Sequence, residues 1–206
     1  MGKPKKEDYH NYKEGMQDKA LKISYFNVAY HLIEGFISIL FGIMAGSIAL
    51  IGFGLDSFLE LLSGTIIIWR FTKHRELSEK EAVQKEEKAV KMISYSFFLL
   101  ASYILYVSVS KLYLHKKPEP TVIGIIIALV SIVVMTVLFH LKQKVGMAIK
   151  SKSIIVDSKQ TLACIYLSIA LFIGLGLNYL IGFWQADPIV GIIIAAVLVK
   201  EGIKEL

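Results

Sequence analysis

The chain has 206 residues, of which 55% are hydrophobic and 19% are charged, and its mean hydropathy is +0.58. A soluble domain carries about 25% charged residues and does not collect its apolar residues into long runs. This chain instead contains blocks close to the roughly 20 residues needed to cross a bilayer core, and six of them would use about 120 residues. Little is then left for a soluble enzyme, a nucleic-acid-binding protein or a secreted disulfide scaffold. The composition predicts an all-α, polytopic membrane protein.

The apolar blocks predict six transmembrane helices after a polar cytosolic tail at residues 1–22. The sixth block is the shortest, with 12 apolar residues before Lys200. It starts with Asp187 and Pro188, a pair typical of a helix N-terminus. With five spans instead of six, the C-terminal lysines would lie on the other side of the membrane. The predicted transmembrane domain covers residues 23–206, with helices at about 23–46, 47–72, 92–110, 121–141, 154–181 and 188–204.

The basic residues predict the orientation of these helices. Of the 23 lysines and arginines, 20 lie in the tail, in segments 70–91 and 142–159, and at the C-terminus, all on one side of a six-span protein. Such residues concentrate on the cytoplasmic side of a membrane. We therefore expect both termini in the cytoplasm and the protein in the cell membrane. Topology explains the positive charge better than a nucleic-acid partner does.

Four carboxylates lie inside predicted spans, at Glu34, Asp56, Glu60 and Asp157. An ionisable residue in the hydrocarbon layer costs about 2.5–3.5 kcal/mol on insertion scales, and such residues by default mark ion pathways. A structural alternative is an interhelical hydrogen bond, or a protonated carboxyl packed between helices.

The second span carries two of these acids four residues apart, at Asp56 and Glu60. Both side chains leave the same face of the helix, one turn from each other. In a medium of low dielectric, two carboxylates this close tend to share a proton. A divalent cation between them would displace that proton. The spacing therefore predicts a site that couples metal binding to proton release, as an exchanger requires.

The fifth span presents a matching row of donors, with Asp157, Gln160 (or Thr161) and Cys164 on one helical face. Carboxylate and amide oxygens and a thiol are all plausible ligands, and a thiolate favours Zn²⁺ over Mg²⁺ or Ca²⁺. Taken alone, a single cysteine in a membrane helix is more often a small packing residue.

The first span supplies a third row, with Asn27, His31 and Glu34 at helical spacing. These residues could be ligands, a proton relay or the lining of an access path. Gly52 and Gly54, just before the acid pair, would let another backbone or an ion approach closely.

Three segments resemble one family, the cation diffusion facilitators, also called cation efflux proteins. Residues 47–60 (SIALIGFGLDSFLE) resemble the family's second transmembrane helix, which carries two acidic metal ligands four residues apart. Residues 153–164 (SIIVDSKQTLAC) and 184–188 (WQADP) are similar to its fifth helix and to the approach to its sixth. The resemblance covers about residue 21 onward. It implies a six-helix bundle, usually dimeric, that exchanges a divalent metal for protons by alternating access.

The chain departs from the family pattern at several points. Gln160 and Cys164 stand where the fifth helix usually presents His and Asp, and Glu60 stands where Asp is usual. The sequence has no histidine-rich loop between spans four and five and no counterpart of the family's C-terminal cytosolic domain. We therefore expect a short form that dimerises through its membrane helices, with a metal preference that can differ from the usual one.

The sequence thus predicts a proton-coupled exporter of a divalent transition metal, Zn²⁺ first, with the metal as substrate and no prosthetic group. The residues predicted to hold the ion at mid-membrane are Asp56, Glu60, Gln160 and Cys164. Those predicted to line the cytoplasmic approach or to carry protons are Asp157, Glu34, His31 and Asn27.

Other classes of protein fit less well. A membrane scaffold or assembly factor with structural buried carboxylates is the main alternative. An enzyme is disfavoured because the chain has neither HExxH nor GxSxG. A channel is disfavoured because no filter-like sequence is repeated.

Overall fold

The structure is a computed structural model that describes residues 6–44, 48–72, 79–115 and 122–205. Within these ranges the chain forms six α-helices and no β-strand, which confirms the all-α prediction. The helices are α1 Lys6–Met44, α2 Ile48–Thr72, α3 Glu79–Leu114, α4 Val122–Ile149, α5 Lys152–Ile181 and α6 Ala186–Glu205.

Five of the helices contain segments long and apolar enough to cross a membrane, which confirms a polytopic membrane bundle. α6 is not among them, so a sixth crossing stays a prediction. α1 also begins well before the first predicted span, because residues 6–22 of the predicted tail continue the same helix. The five segments are Glu14–Met44, Leu50–Thr72, Val83–Leu114, Val122–Ile149 and Lys152–Ile181.

The last helix packs beside α3 and runs in the opposite direction. Near its start, the Trp184 ring lies 5.9 Å from the His115 ring at the end of α3. Near its end, Gly202 lies against Phe98, whose ring would be 3.0 Å from a Cβ at that glycine. α6 begins at Ala186, two residues before the predicted Pro188, a difference usual for helix ends. The side chain of Asp187 lies outside the described part of the chain, so its capping role stays a prediction.

Glycines bring α1 and α2 into close contact. A Cβ on Gly54 would lie 2.8 Å from the carbonyl oxygen of Gly35, and one on Gly42 would lie 2.7 Å from the backbone nitrogen of Ile51. Small residues allow this approach because no side chain separates the two backbones. The contact confirms the expected close approach at Gly54, and it holds the polar face of α1 against the acid pair of α2.

A tight turn joins α4 to α5. Lys150 adopts a left-handed backbone with a φ of 55°, and the Ser151 N–H donates to the Gly146 carbonyl at 2.9 Å, the pattern of a Schellman cap. The Ser151 hydroxyl then accepts from the Ile154 N–H at 3.5 Å and caps α5. Segment 142–153 was predicted to be a loop, but the loop is shorter, because only Lys150 and Ser151 separate the two helices. The last two turns of α4 therefore face the first two turns of α5.

A core of apolar side chains fixes α2, α3, α5 and α6 around the polar interior. It includes Ile67, Phe97, Leu100, Val156 and Leu198, each at most 1% exposed. We call the end of the bundle where α1 begins and α2 ends the N-terminal end. Because α5 starts there, Asp157 lies closer to the N-terminal end than Cys164 does, and Glu60 lies closer to it than Asp56.

Candidate metal site

All four residues predicted to hold the ion are buried between α2 and α5. Asp56 is 2% exposed, Glu60 1%, Cys164 3% and Gln160 0%. The Cys164 thiol faces both carboxylates of the acid pair. The structure therefore brings Asp56, Glu60 and Cys164 together from two helices that are far apart in sequence.

Several polar atoms at this place have no partner. Within the described part of the chain, Asp56 Oδ1, Glu60 Oε1 and Gln160 Nε2 are buried and make no hydrogen bond. Nearly all buried polar atoms in proteins are satisfied, and an unpaired buried charge is costly. Two carboxylate oxygens left over on one face of α2 are suited to a cation.

Gln160 is held by α3 rather than by the acid pair. Its Oε1 accepts a hydrogen bond from the Ser96 hydroxyl at 3.0 Å. A half-turn of the amide would exchange its two ends, so that the nitrogen donates to Ser96 and the oxygen takes the position that has no partner. Gln160 can therefore offer an oxygen ligand without losing its contact with α3.

Thr161 contacts Glu60 directly. Its hydroxyl donates to Glu60 Oε2 at 3.3 Å. Helical spacing alone did not decide whether Gln160 or Thr161 belongs to the donor row of α5. The residue that supports Glu60 from α5 is therefore the threonine.

The polar row of α1 lies beside the acid pair. His31 Nδ1 is 3.2 Å from Glu34 Oε2, and His31 Nε2 is 3.7 Å from Glu60 Oε2. The Asn27 side-chain amide donates to the Glu60 backbone carbonyl at 3.2 Å. His31 thus connects the carboxylates of α1 and α2.

Glu34 has a full set of partners of its own. Its carboxylate accepts from the Tyr30 hydroxyl at 2.8 Å and from the Ser57 hydroxyl at 2.9 Å. These two hydroxyl donors stabilise its negative charge. Glu34 therefore lies next to the acid pair of α2, but its oxygens already accept hydrogen bonds, so it is less suited to be a metal ligand.

Lys142 of α4 is the residue that sequence reasoning missed. It was counted among the loop lysines, but it is 2% exposed. Its Nζ lies 3.0 Å from Asp157 Oδ2 and 3.6 Å from Glu60 Oε2, and it donates to the Thr161 hydroxyl at 2.8 Å. Asp157 also accepts from the Ser63 hydroxyl. The sequence did contain a sign that Lys142 lies within the helix, because the apolar run 145–149 continues α4 beyond this lysine.

In this arrangement the carboxylates do not converge on one point. Within the described ranges, no three His, Cys, Asp or Glu side chains are grouped as ligands of a single metal ion. Asp157 and one oxygen of Glu60 are turned toward the Lys142 ammonium, whereas Asp56 lies one helical turn away beside Cys164. A bound metal would therefore require Glu60 to turn from the ammonium toward Asp56.

Comparison with known proteins agrees with a bundle of transmembrane helices. The cation efflux transmembrane domain matches residues 25–206, so the chain belongs to the cation efflux family. It is therefore a multi-pass membrane protein of a family that transports divalent cations. The chain is also similar to Transmembrane protein 163 of Xenopus laevis, with 24% identity over 194 residues that cover 94% of this chain and 68% of that relative. The family resemblance inferred from the sequence is confirmed.

Proposed function

We propose that this protein exports Zn²⁺, or a similar divalent transition metal, from the cytoplasm in exchange for protons. The ion would be held by Asp56, Glu60 and Cys164, with Gln160 completing the ligand set. Alternating access between the two ends of the bundle would carry it across the cell membrane. Both termini would face the cytoplasm, and α6 would form the sixth span.

One observation carries this proposal: two buried carboxylate oxygens, on Asp56 and Glu60, have no hydrogen-bond partner among the described residues and lie beside a buried thiol. Zinc is bound by thiolate sulfur, imidazole nitrogen and carboxylate oxygen, usually four at a time. Mg²⁺ and Ca²⁺ prefer sites made of oxygen alone. The donor set therefore supports a borderline metal such as zinc.

Proton coupling follows from the crowding of charge. Glu34, Asp56, Glu60 and Asp157 are all at most 7% exposed, and the Lys142 ammonium lies beside two of them. Without a metal, excess negative charge in a medium of low dielectric favours proton uptake. A divalent cation reverses that preference, so its arrival releases protons.

A homodimer formed by the membrane helices is part of the same proposal, on the strength of the family resemblance.

Zinc flux in proteoliposomes with an imposed pH gradient tests the proposal. Even residues outside the ligand set cost about 10–100-fold when removed from a metal site. We therefore expect Asp56→Asn and Glu60→Gln each to lower flux by at least about 100-fold. Glu87→Gln is the matched control, because it removes an exposed carboxylate from the polar part of α3.

Two results would overturn parts of the proposal. Parental flux in both acid variants would remove the assignment of the site. Zinc flux that is insensitive to the pH gradient would remove proton exchange and leave a metal carrier of another kind.

The rival function, a membrane scaffold, is favoured by the partial neutralisation of Glu60 and Asp157 by the Lys142 ammonium. A scaffold with structural carboxylates gains no stability from metal. A ligand that binds only the folded state at 100 times its Kd adds about 2.7 kcal/mol. A Tm that rises with Zn²⁺ in the wild type therefore supports the transporter, and a Tm that is independent of Zn²⁺ supports the scaffold.

A further inference from the structure

A buried ammonium lies against one of the proposed metal ligands. The Lys142 Nζ atom is within 3.6 Å of Glu60 Oε2, and its shortest contacts are to Thr161 at 2.8 Å and Asp157 at 3.0 Å. An ammonium has three donors and no acceptor, and each donor has an oxygen within reach. The chain therefore supplies its own cation to the carboxylates of α2 and α5.

Glu60 is shared between that internal cation and the proposed metal position. Its Oε2 atom is next to Lys142, Thr161 and His31, whereas its Oε1 atom has no hydrogen-bond partner in the described structure. A divalent ion bound to Glu60 would lie a few ångströms from the ammonium. In a medium of low dielectric the repulsion between these two cations is strong.

The two sides of the acid pair, toward the N-terminal end and toward the opposite end of the bundle, differ in their packing. Toward the N-terminal end, Lys142 joins α4 to Glu60 of α2 and Asp157 of α5, so three helices are connected by one side chain. Toward the opposite end, a cavity of about 40 Å³ lies between α2, α3 and α5, with Gly52 and Tyr103 in its wall. A cavity holds a water when it offers about 10–15 Å³. Ion pairs therefore lie on one side of the acid pair, and a cavity with room for water lies on the other.

We propose that Lys142 is a tethered cation that competes with the transported metal for Glu60 and closes the N-terminal end of the bundle when no metal is bound. This inference rests on the proposed function. Binding of a divalent ion at Asp56 and Glu60 displaces the ammonium from Glu60, which loosens the connection of α4 to α2. By reciprocity, the closed connection weakens metal binding by the same factor.

The test uses a variant that removes the competing charge together with its partner. Lys142→Met alone would leave Asp157 as an unpaired buried charge, so Lys142→Met/Asp157→Asn is the main variant. Lys144→Met is the matched control, because that lysine is exposed and lies two residues further along α4. The measurement is Zn²⁺ affinity of the purified full chain by equilibrium dialysis.

We expect the double variant to bind Zn²⁺ about tenfold more tightly than the wild type, since couplings between sites typically reach 5- to 150-fold. The Lys144→Met control should match the wild type. The inference is overturned if the double variant binds no more tightly than the control while Asp56→Asn still abolishes binding, and the proposed function then stands. If the wild type binds no Zn²⁺, the proposed function is wrong and this inference fails with it.

A second measurement needs no metal. The chain has one cysteine, and it lies beside the acid pair, so a membrane-impermeant maleimide reports access to the site. In proteoliposomes whose N-terminal end faces the reagent, the double variant should label Cys164 about tenfold faster than Lys144→Met. Equal rates in the two variants would show that Lys142 does not close this end.

Discussion

Two aspartates in this bundle are equally buried and differ in their surroundings. Asp157 is 1% exposed, forms an ion pair with the Lys142 ammonium at 3.0 Å and accepts a hydrogen bond from the Ser63 hydroxyl. Asp56 is 2% exposed, lies beside the Cys164 thiol, and has one carboxylate oxygen with no partner in the described structure. Asp157 is therefore balanced by a cation of the fold, whereas no side-chain cation among the described residues is paired with Asp56.

On the proposed function, this difference lets a single polar interior be stable and still bind an ion. The Lys142–Asp157 pair ties α4 to α5 just after the tight turn at Lys150, so it belongs to the helical hairpin itself. Asp56 lies further along the same polar interior, where no side-chain cation is paired with it among the described residues. Glu60 lies between the two: its Oε2 atom faces Lys142, and its Oε1 atom has no hydrogen-bond partner among the described residues.

Breaking the Lys142–Asp157 ion pair should have the largest effect on stability. Removing one partner of a buried ion pair typically costs about 3–5 kcal/mol, because the other charge is left without compensation. We expect Lys142→Met and Asp157→Asn, each made singly, to lower the free energy of unfolding by this amount, measured by denaturant titration in detergent without metal.

The double variant is the control for that prediction. Replacing both members of a buried pair by neutral groups is often close to neutral. Lys142→Met/Asp157→Asn should therefore recover most of the loss seen in either single variant, and the double-mutant cycle should show strong coupling. Additive losses would mean that the two residues do not act as a pair.

Substitution of Asp56, unlike that of Asp157, should not destabilise the metal-free protein. Asp56→Asn removes a charge that lacks a full set of partners, so the metal-free protein should be at least as stable as the wild type. It should instead lose the increment that zinc confers, about 2.7 kcal/mol at 100 times the wild-type Kd. Thermal unfolding with and without Zn²⁺ measures both quantities. A destabilised metal-free variant that still responds to zinc would reverse the roles given to the two aspartates.

A smaller effect on stability is expected from disturbing the contact between Asn27 and the backbone of Glu60. A Cβ on Gly64 would lie 2.8 Å from the Asn27 amide nitrogen, which holds the Glu60 carbonyl. Gly64→Ala should therefore cost about 1–3 kcal/mol of stability, the usual cost of overpacking, and should also weaken zinc binding.

Gly176 offers the matched control for that substitution. A Cβ there meets nothing within 4 Å, so Gly176→Ala in the same kind of helical backbone should gain up to about 1 kcal/mol from helix propensity. Equal effects of the two substitutions on unfolding and on zinc affinity would show that the Asn27 contact does not position Glu60.

The smallest effect on the metal-free protein is expected at Cys164. Cys164→Ser keeps the size of the side chain and should change stability little, but it replaces the soft donor of the site. Zinc affinity should then fall relative to affinity for Mg²⁺ or Ca²⁺, because these hard ions prefer oxygen ligands. Competition dialysis with the three ions gives the ratio, and an unchanged ratio would exclude the thiol as a ligand.

The central features of this site could be predicted from the sequence. Helical periodicity places Asp56 and Glu60 on one face of α2, and Cys164 on the same face of α5 as Asp157, and in the structure these two faces lie against each other. The close approach at Gly54 follows from the lack of a side chain. These features depend on local geometry, which a single sequence contains.

The role of Lys142 could not be predicted in the same way. Its partners come from α2 and α5, and pairing between helices that are distant in sequence leaves no periodic pattern. A hydropathy reading also favours ending a span at a lysine, so α4 was predicted to stop at Leu141, eight residues before its end at Ile149. The choice between Gln160 and Thr161 likewise depended on the rotation of α5, which packing alone determines.

The central claim is that Asp56 and Glu60 together bind a divalent cation inside the membrane. The most direct measurement is the amount of zinc bound per chain by the purified wild type and by Asp56→Asn/Glu60→Gln after equilibrium dialysis. The account predicts one tightly bound zinc per wild-type chain and none in the double variant. Equal zinc contents in the two proteins would contradict it.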